Sequence, residues 1–519
     1  MNPITTWKAE ILEKVADAEL VVGIVGRMGV DTGAVYQWIA EVLHSLHYES
    51  HRIKITDFLK SRPFEDIELK EDPIEARYDS YIDACNHIRE KAKRNDFFIS
   101  YAVQRVIDIR LNGPAGTPDA PLPRTAYVID QIKRPEEAKA LRNIYGQQFV
   151  LISCHMPRDV RQHTLSAKIA TGHASEPKAK EWQSVAHELI ERDDKESSKR
   201  FGQRVSDVFP MADLIIDATS EDHATPTLKR FFEALFGNFA ISPTRDEFFQ
   251  NLAANVALTS CDTARQVGAA IANDGEVLAT GFNEAPKAHG GTYWANEGLD
   301  GRDFAIGRDA NTVRKRQMVT DIVRRLRDDG RLADNEITDA QIEAELIDGT
   351  DAPLKKSQIM DTLEYGRAVH AEMAALTTAS RIGRSVYEAT LYCTTFPCHN
   401  CSKHIVASGI TRVFYLEPYG KSFTDELYPD SVLIDHSDKK KSVVSFQQFV
   451  GITPNRYREL FAKEKLKDAK GNIIPWRKAS CQPVFEKLDQ GHIAREVMFQ
   501  KFLSENMDLD AKSYLGIPQ

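Results

Sequence analysis

A chain of 519 residues is too long for one ordinary hydrophobic core, so two domains are the default. With 42% hydrophobic and 28% charged residues it has the composition of a globular protein in water. Its net charge of −9 disfavours a nucleic-acid surface as the main business, because such surfaces need a basic stripe. Seven scattered cysteines do not make a disulfide scaffold, and the first ten residues lack the basic and apolar pattern of a signal. No apolar run approaches the ~20 residues of a membrane span, so a reducing cytoplasm with no membrane contact is the expected setting.

The first half alternates strand and helix. Residues 20–25 form an apolar strand, followed by the turn Gly26-Arg-Met-Gly29-Val-Asp31-Thr32-Gly33. A helix over 34–46 follows, with Val35, Ile39, Val42, Leu43 and Leu46 on one face. Further strands are predicted at 96–100, 124–130, 148–153 and 213–217, with a helix opening at Pro135 and another over 227–236. Short buried strands alternating with helices predict a parallel α/β sheet covered on both faces.

This half resembles the P-loop nucleotide and nucleoside-phosphate kinase fold, where a glycine turn after the first strand seats phosphates on helix amides. The departure is chemical. Asp31 and Thr32 stand where the motif has its last Gly-Lys, so the cation for the outer phosphates is missing and phosphotransfer is not expected. Two readings stay open: a nucleotide held through the turn at Gly26, Gly29, Asp31 and Thr32, or a tight turn with no ligand. The run Glu191-Arg-Asp-Asp194, with Lys195, Lys199, Arg200 and Arg204, is either a lid over phosphates or a solvated helix face.

A boundary near 237–243 separates an expected P-loop-like domain, 1–238, from a second domain, 239–519. The second opens with a helix from Asp246 to Leu258 and a strand ending at Asn273. Asp274-Gly275 is a hairpin turn, and a return strand runs over 276–282 to Asn283. Residues 284–369 form a large insertion containing Trp294, a charged helix over 311–331 and an acidic stretch to Asp351. A lid, an oligomer interface and a docking surface are its three candidate roles.

The chemistry gathers in His370-Ala-Glu372 and Pro397-Cys398-His-Asn-Cys401, the His-x-Glu … Pro-Cys-x-x-Cys arrangement of zinc-dependent nucleobase deaminases. One imidazole and two thiolates suit tetrahedral Zn2+ and leave a fourth position for water. Glu372, two residues from a ligand, is the catalytic acid–base, taking a proton from that water and passing it on. A helix from Gly366 carries His370, a strand over 389–395 leads to Pro397, and Cys398 and Cys401 open the next helix. A strand follows at 412–416. Tyr419 and Lys421 are placed beside the metal helix by position, Lys439–Lys441 reads as a solvated loop, and the tail from Phe446 is expected to pack on the second domain's sheet.

Together with Ser260…Gln266-Val-Gly-Ala-Ala-Ile271 and Gly281-Phe-Asn283-x-x-Pro286, these motifs resemble the zinc-dependent deoxycytidylate deaminase family. With the P-loop-like domain in front, the whole chain resembles the bacterial anti-phage dCTP deaminases. The resemblance implies an α/β/α cytidine-deaminase-like domain that hydrolyses dCTP, dCMP or both to deoxyuridine nucleotides and ammonia. It also implies depletion of the deoxycytidine pool during phage infection and an assembly of several copies of the chain. Asn283 is then expected near the sugar; by position, Arg265 is a candidate for a phosphate or a lone surface arginine, Trp294 or Tyr293 for stacking on a base or for packing, and Tyr419 for the pocket. A regulatory nucleotide at the first domain and an RNA or protein inhibitor are candidate partners. The zinc motif alone also allows a deaminase of single-stranded DNA or RNA, or a nucleotide-sensing or RNA-binding regulator with an idle site. The charge balance argues against the former and the intact Glu372 against the latter.

Overall fold

The computed structural model describes residues 17–61, 64, 66–114, 116–173, 180–196, 199–332, 338–349, 351–419, 422–436, 442–463, 466–485 and 491–506. Lys421 and Lys439–Lys441 lie outside the described residues. The chain divides into two compact units. The first comprises Met1–Glu247, Asp435–Lys439 and Gln448–Gln519, and the second Phe248–Ile434 and Lys440–Gln447.

The first unit is built on β1 (Leu20–Gly26), whose seven residues are all buried. Then come α1 (Thr32–Ser45), β2 (Glu49–Lys54), α2 (Ile74–Lys91), α3 (Phe97–Leu111) and β3 (Thr125–Asp130). They are followed by α4 (Pro135–Tyr145), β4 (Phe149–His155), α5 (Arg158–Gly172), α6 (Gln183–Asp194), β5 (Leu214–Asp217) and α7 (Glu221–Leu235). β1 pairs in parallel with β3 and β4, β2 with β3, and β5 with β4, which gives the expected parallel sheet.

Two local expectations are corrected. Asp96–Ser100, expected as a strand, opens α3. Phe97 and Phe98 are only the first turn of a longer amphipathic face that continues through Ala102, Val103 and Val106, so tertiary burial overrides the β propensity of the run. β2 was not expected, because Glu-Ser-His-Arg-Ile-Lys reads as polar; it is the edge strand of its sheet, where only Ile53 is buried.

The second unit begins inside α8 (Arg245–Ala257), whose start is fixed by a reciprocal cap. The Glu247 N–H donates to Thr244 Oγ1 at 3.2 Å, and the Thr244 N–H to Glu247 Oε2 at 2.8 Å. β6 (Gly268–Asn273) and β7 (Glu276–Phe282) form the expected hairpin, with Asp274 and Gly275 at φ 47° and 88°. The insertion supplies α9 (Ala310–Asp328), after which come α10 (Ala371–Arg381), β8 (Thr390–Thr395), α11 (His399–Ala407), β9 (Arg412–Glu417), β10 (Val432–Ile434) and β11 (Val444–Gln448). β6 pairs antiparallel with β7 and β8, and β8 parallel with β9.

The tail from Phe446 corrects a further expectation: only its first residues, at the end of β11, belong to the second sheet, and from Gln448 on it joins the first unit. β12 (Gly451–Ile452) pairs antiparallel with β5, covering an edge that would otherwise leave backbone groups unpaired. Thr453 Oγ1 donates to the Ala212 carbonyl at 2.6 Å and then caps α12 (Pro454–Phe461). In α13 (Gly491–Asn506), Glu496 meets the buried Arg110 at 2.5 Å, and the same guanidinium is held by Glu19 at 2.7 Å. Among the described residues no helix is long and apolar enough to cross a membrane.

Two glycines let helices lie directly on the second sheet. A Cβ at Gly268 would stand 2.0 Å from the Ala253 carbonyl of α8, and one at Gly281 would stand 2.3 Å from both the Ala371 carbonyl and the Ala375 nitrogen of α10. Backbone cannot yield as a flexible side chain does. Gly281→Ala is therefore expected to cost about 1–3 kcal/mol of stability and to lower zinc content by displacing the start of α10, as read by thermal unfolding together with metal analysis.

Candidate metal centre and cavity

The centre is made where two helices begin. Val369 is held in a bridge to Glu284, and His370 caps α10 with extended backbone, φ −63° and ψ 152°. The helix therefore starts at Ala371, later than the expected Gly366. Cys398 caps α11 in the same conformation, φ −67° and ψ 163°, and Cys401 sits in its first turn. Helix N-termini carry partial positive charge that favours thiolate.

His370 Nδ1 lies 3.3 Å from Cys398 Sγ and 3.3 Å from Cys401 Sγ, and the three donor atoms are within 4.8 Å of one another. Tetrahedral bonds of about 2.1 Å to nitrogen and 2.3 Å to sulfur place donors roughly 3.5–3.8 Å apart, so a small adjustment suffices for zinc. The donor chemistry fits as well. Hydrogen bonds from Cys401 and His370 hold the Cys398 thiol down to about 4, while pairing with Cys398 lifts His370 to about 9. A metal would take the place of the proton shared among these atoms.

Glu372 is 4% exposed and contacts Cys401 Sγ at 3.5 Å. Burial, and then the neighbouring Cys398 charge, pushes its carboxyl up. Cys393 lies buried in β8 with its thiol toward the Phe414 carbonyl at 3.4 Å, a core position.

His370, Glu372 and Cys398 line a cavity of about 300 Å³. Asn283, Arg265 and Tyr419 line it too. Asn283 is largely committed to the chain: Oδ1 accepts the Val267 N–H at 2.7 Å, and Nδ2 donates to the Arg265 carbonyl at 2.9 Å. It thereby shapes the turn that carries Arg265, whose guanidinium lies 5.5 Å from the Tyr419 ring centre. Trp294 is not brought to the cavity. It is 54% exposed and packs edge-on against Phe282 at 5.8 Å.

The insertion contributes wall residues that sequence reasoning missed, among them Asp303, Asn311 and Arg367. Arg367 is tied to Asp303 at 2.5 Å, and Asn311 Nδ2 donates to the Thr362 carbonyl at 2.9 Å. Asp309, also on the wall, caps α9 by accepting the Thr312 N–H.

In the first unit, the glycine turn closes on itself. Asp31 Oδ1 accepts the Gly33 and Ala34 N–H groups at 2.9 and 3.2 Å, and Thr32 Oγ1 donates to Asp130 at 3.2 Å. Gly26 ends β1, and its carbonyl accepts from Lys133 Nζ at 2.8 Å. Gly29 packs against Arg161. Asp193, 1% exposed, takes the Met28 N–H at 2.8 Å and also pairs with Lys133. Arg192 and Lys199 of the run read as lid or solvated face are matched by Asp79 and Asp83.

Residues 243–417 match the family described as cytidine and deoxycytidylate deaminase zinc-binding region. The deoxycytidylate deaminase of Enterobacteria phage T2 is 44% identical over 54 residues, 10% of this chain and 29% of its own length. A probable deoxycytidylate deaminase of Drosophila melanogaster is 34% identical over 111 residues, 20% of this chain and 54% of its own. The chain thus spans less than two thirds of either relative. A solved dCMP deaminase from the cyanophage S-TIM5, in complex with dCMP and dUMP, aligns with 40% of this chain and 98% of its own at 18% identity and a TM-score of 0.23.

The chain therefore contains, at 243–417, a zinc-binding region of the cytidine and deoxycytidylate deaminase family, and that region includes the His370–Cys398–Cys401 cluster. Metal analysis of purified protein should find about one zinc per chain. Cys398→Ser or Cys401→Ser should remove it, whereas Cys393→Ala should retain it.

Proposed function

We propose that the second unit converts a free deoxycytidine nucleotide and water into the deoxyuridine nucleotide and ammonia. The observation that carries this reading is a buried carboxylate, Glu372, lining a cavity and standing 3.5 Å from one sulfur of a His/Cys/Cys donor set. His370, Cys398 and Cys401 are the residues that would hold the metal. When bound, zinc supplies the Lewis acidity that lets a water release its proton near neutral pH.

Glu372 takes that proton on a carboxylate oxygen and delivers it to N3 of the cytosine ring. The water oxygen, now bonded to C4, gives its remaining proton to the same carboxylate, which carries it to the amine on C4. The C4–N bond breaks, ammonia departs and the water oxygen stays on the ring. Arg265, with its guanidinium near Tyr419, is placed for a phosphate oxygen. The second N–H of the Asn283 amide, not needed by the Arg265 turn, suits a sugar hydroxyl.

The net charge of −9 favours a free nucleotide over a nucleic-acid strand. The substrate is dCMP, dCTP or both. On the resemblance stated from the sequence alone, we read the activity as antiviral, emptying the pool a replicating phage draws on.

Purified full-length protein should release ammonia from dCMP or dCTP. Glu372→Ala should lower kcat by about 10²–10⁴-fold while keeping its zinc and its unfolding temperature. Undiminished turnover in that variant, or faster deamination of a single-stranded oligonucleotide than of either nucleotide, would contradict the proposal.

A further inference from the structure

The first unit encloses a second cavity, of about 510 Å³, reached by the glycine turn, β2, α2 and α5. Seven lysine and arginine side chains line it against two carboxylates, in a chain whose overall charge is negative. Five of the seven are already matched, Arg27 by Asp194, Arg52 by Asp130, Arg77 by Glu71, Arg89 by Glu137 and Lys133 by Asp193. Among the described residues Lys54 and Lys168 are left without a carboxylate and would be matched by an anion that enters. The glycine turn does not supply the opening for one, because Asp31 and Asp193 already occupy its amides.

The remaining wall is different. Arg89, 2% exposed, gives one nitrogen to Glu137 at 2.8 Å, but its Nε and Nη1 are buried without a hydrogen-bond partner. Buried guanidinium N–H groups ordinarily find acceptors. Lys54 at the end of β2 and Lys168 on α5 reach the same cavity. Lys168 Nζ rests on the Tyr78 hydroxyl at 3.1 Å, with the ammonium 5.7 Å from the Tyr78 ring centre. The cavity thus combines spare cationic donors with an aromatic ring at a volume usual for small-molecule sites.

We propose that this cavity binds a nucleoside polyphosphate, with its phosphates on Arg89, Lys54 and Lys168 and its base against Tyr78. The glycine turn is left to its own carboxylates, so phosphate does not sit on the amides where a P-loop would place it. The site is independent of the deaminase reading and needs no turnover to be observed.

Calorimetric titration of the full chain with ATP, dTTP and inorganic tripolyphosphate tests it. At least one nucleoside triphosphate should bind, and Lys54→Ala/Lys168→Ala should weaken that binding by about tenfold or more with the unfolding temperature unchanged. Tyr78→Ala should weaken the nucleotide by about tenfold and leave tripolyphosphate unaffected. Thr32→Ala, at the turn, should leave affinity close to that of the unaltered chain. Absence of binding by all three probes overturns the proposal. So does binding that ignores the two lysine changes, or a loss confined to Thr32→Ala.

Discussion

The second unit depends on one meeting of atoms, an imidazole nitrogen 3.3 Å from two sulfurs. Each donor comes from the first residues of a helix, where the backbone is still extended or has just turned. There the unpaired N–H groups and the helix dipole favour a negative sulfur. Neither helix could bring its donors together alone. α10 must lie flat on β7, and a side chain at Gly281 would lift it away. The hairpin turn at Asp274-Gly275, the absent Cβ of Gly281 and the chemistry at Glu372 are linked through the position of one helix.

Around that centre the insertion is part of the wall. Residues from 303 to 367 line the cavity alongside the motif residues, and the Arg367–Asp303 pair fastens the end of the insertion to its beginning. In the first unit the polar balance runs the other way. Carboxylates fill the glycine turn, and cations gather on the facing wall.

The four side chains of the centre were legible in the sequence because their constraints are local. A histidine and a glutamate two residues apart, and two sulfurs three apart at a helix start, are spacings that the backbone converts into geometry. The parallel sheet of the first unit was legible for a similar reason, since strands buried on both faces lose all polar alternation. What escaped depends on distant partners. Phe97 and Phe98 read as a strand until the rest of α3 and the core behind it are considered, and β2 has no apolar pattern because it lies on an edge. The tail gave no sign of crossing to the first unit, because the open edge of β5 exists only once its sheet has formed. The bonds of Asn283 to the turn that carries Arg265 are likewise a pairing no spacing rule encodes.

The chemistry of the second unit stands or falls with metal coordination at His370, Cys398 and Cys401. Zinc K-edge X-ray absorption of the purified full chain should show one four-coordinate zinc with two sulfur ligands, one imidazole nitrogen and one further light atom. A chain that binds no zinc, or a zinc ringed by four sulfurs or by none, would contradict it.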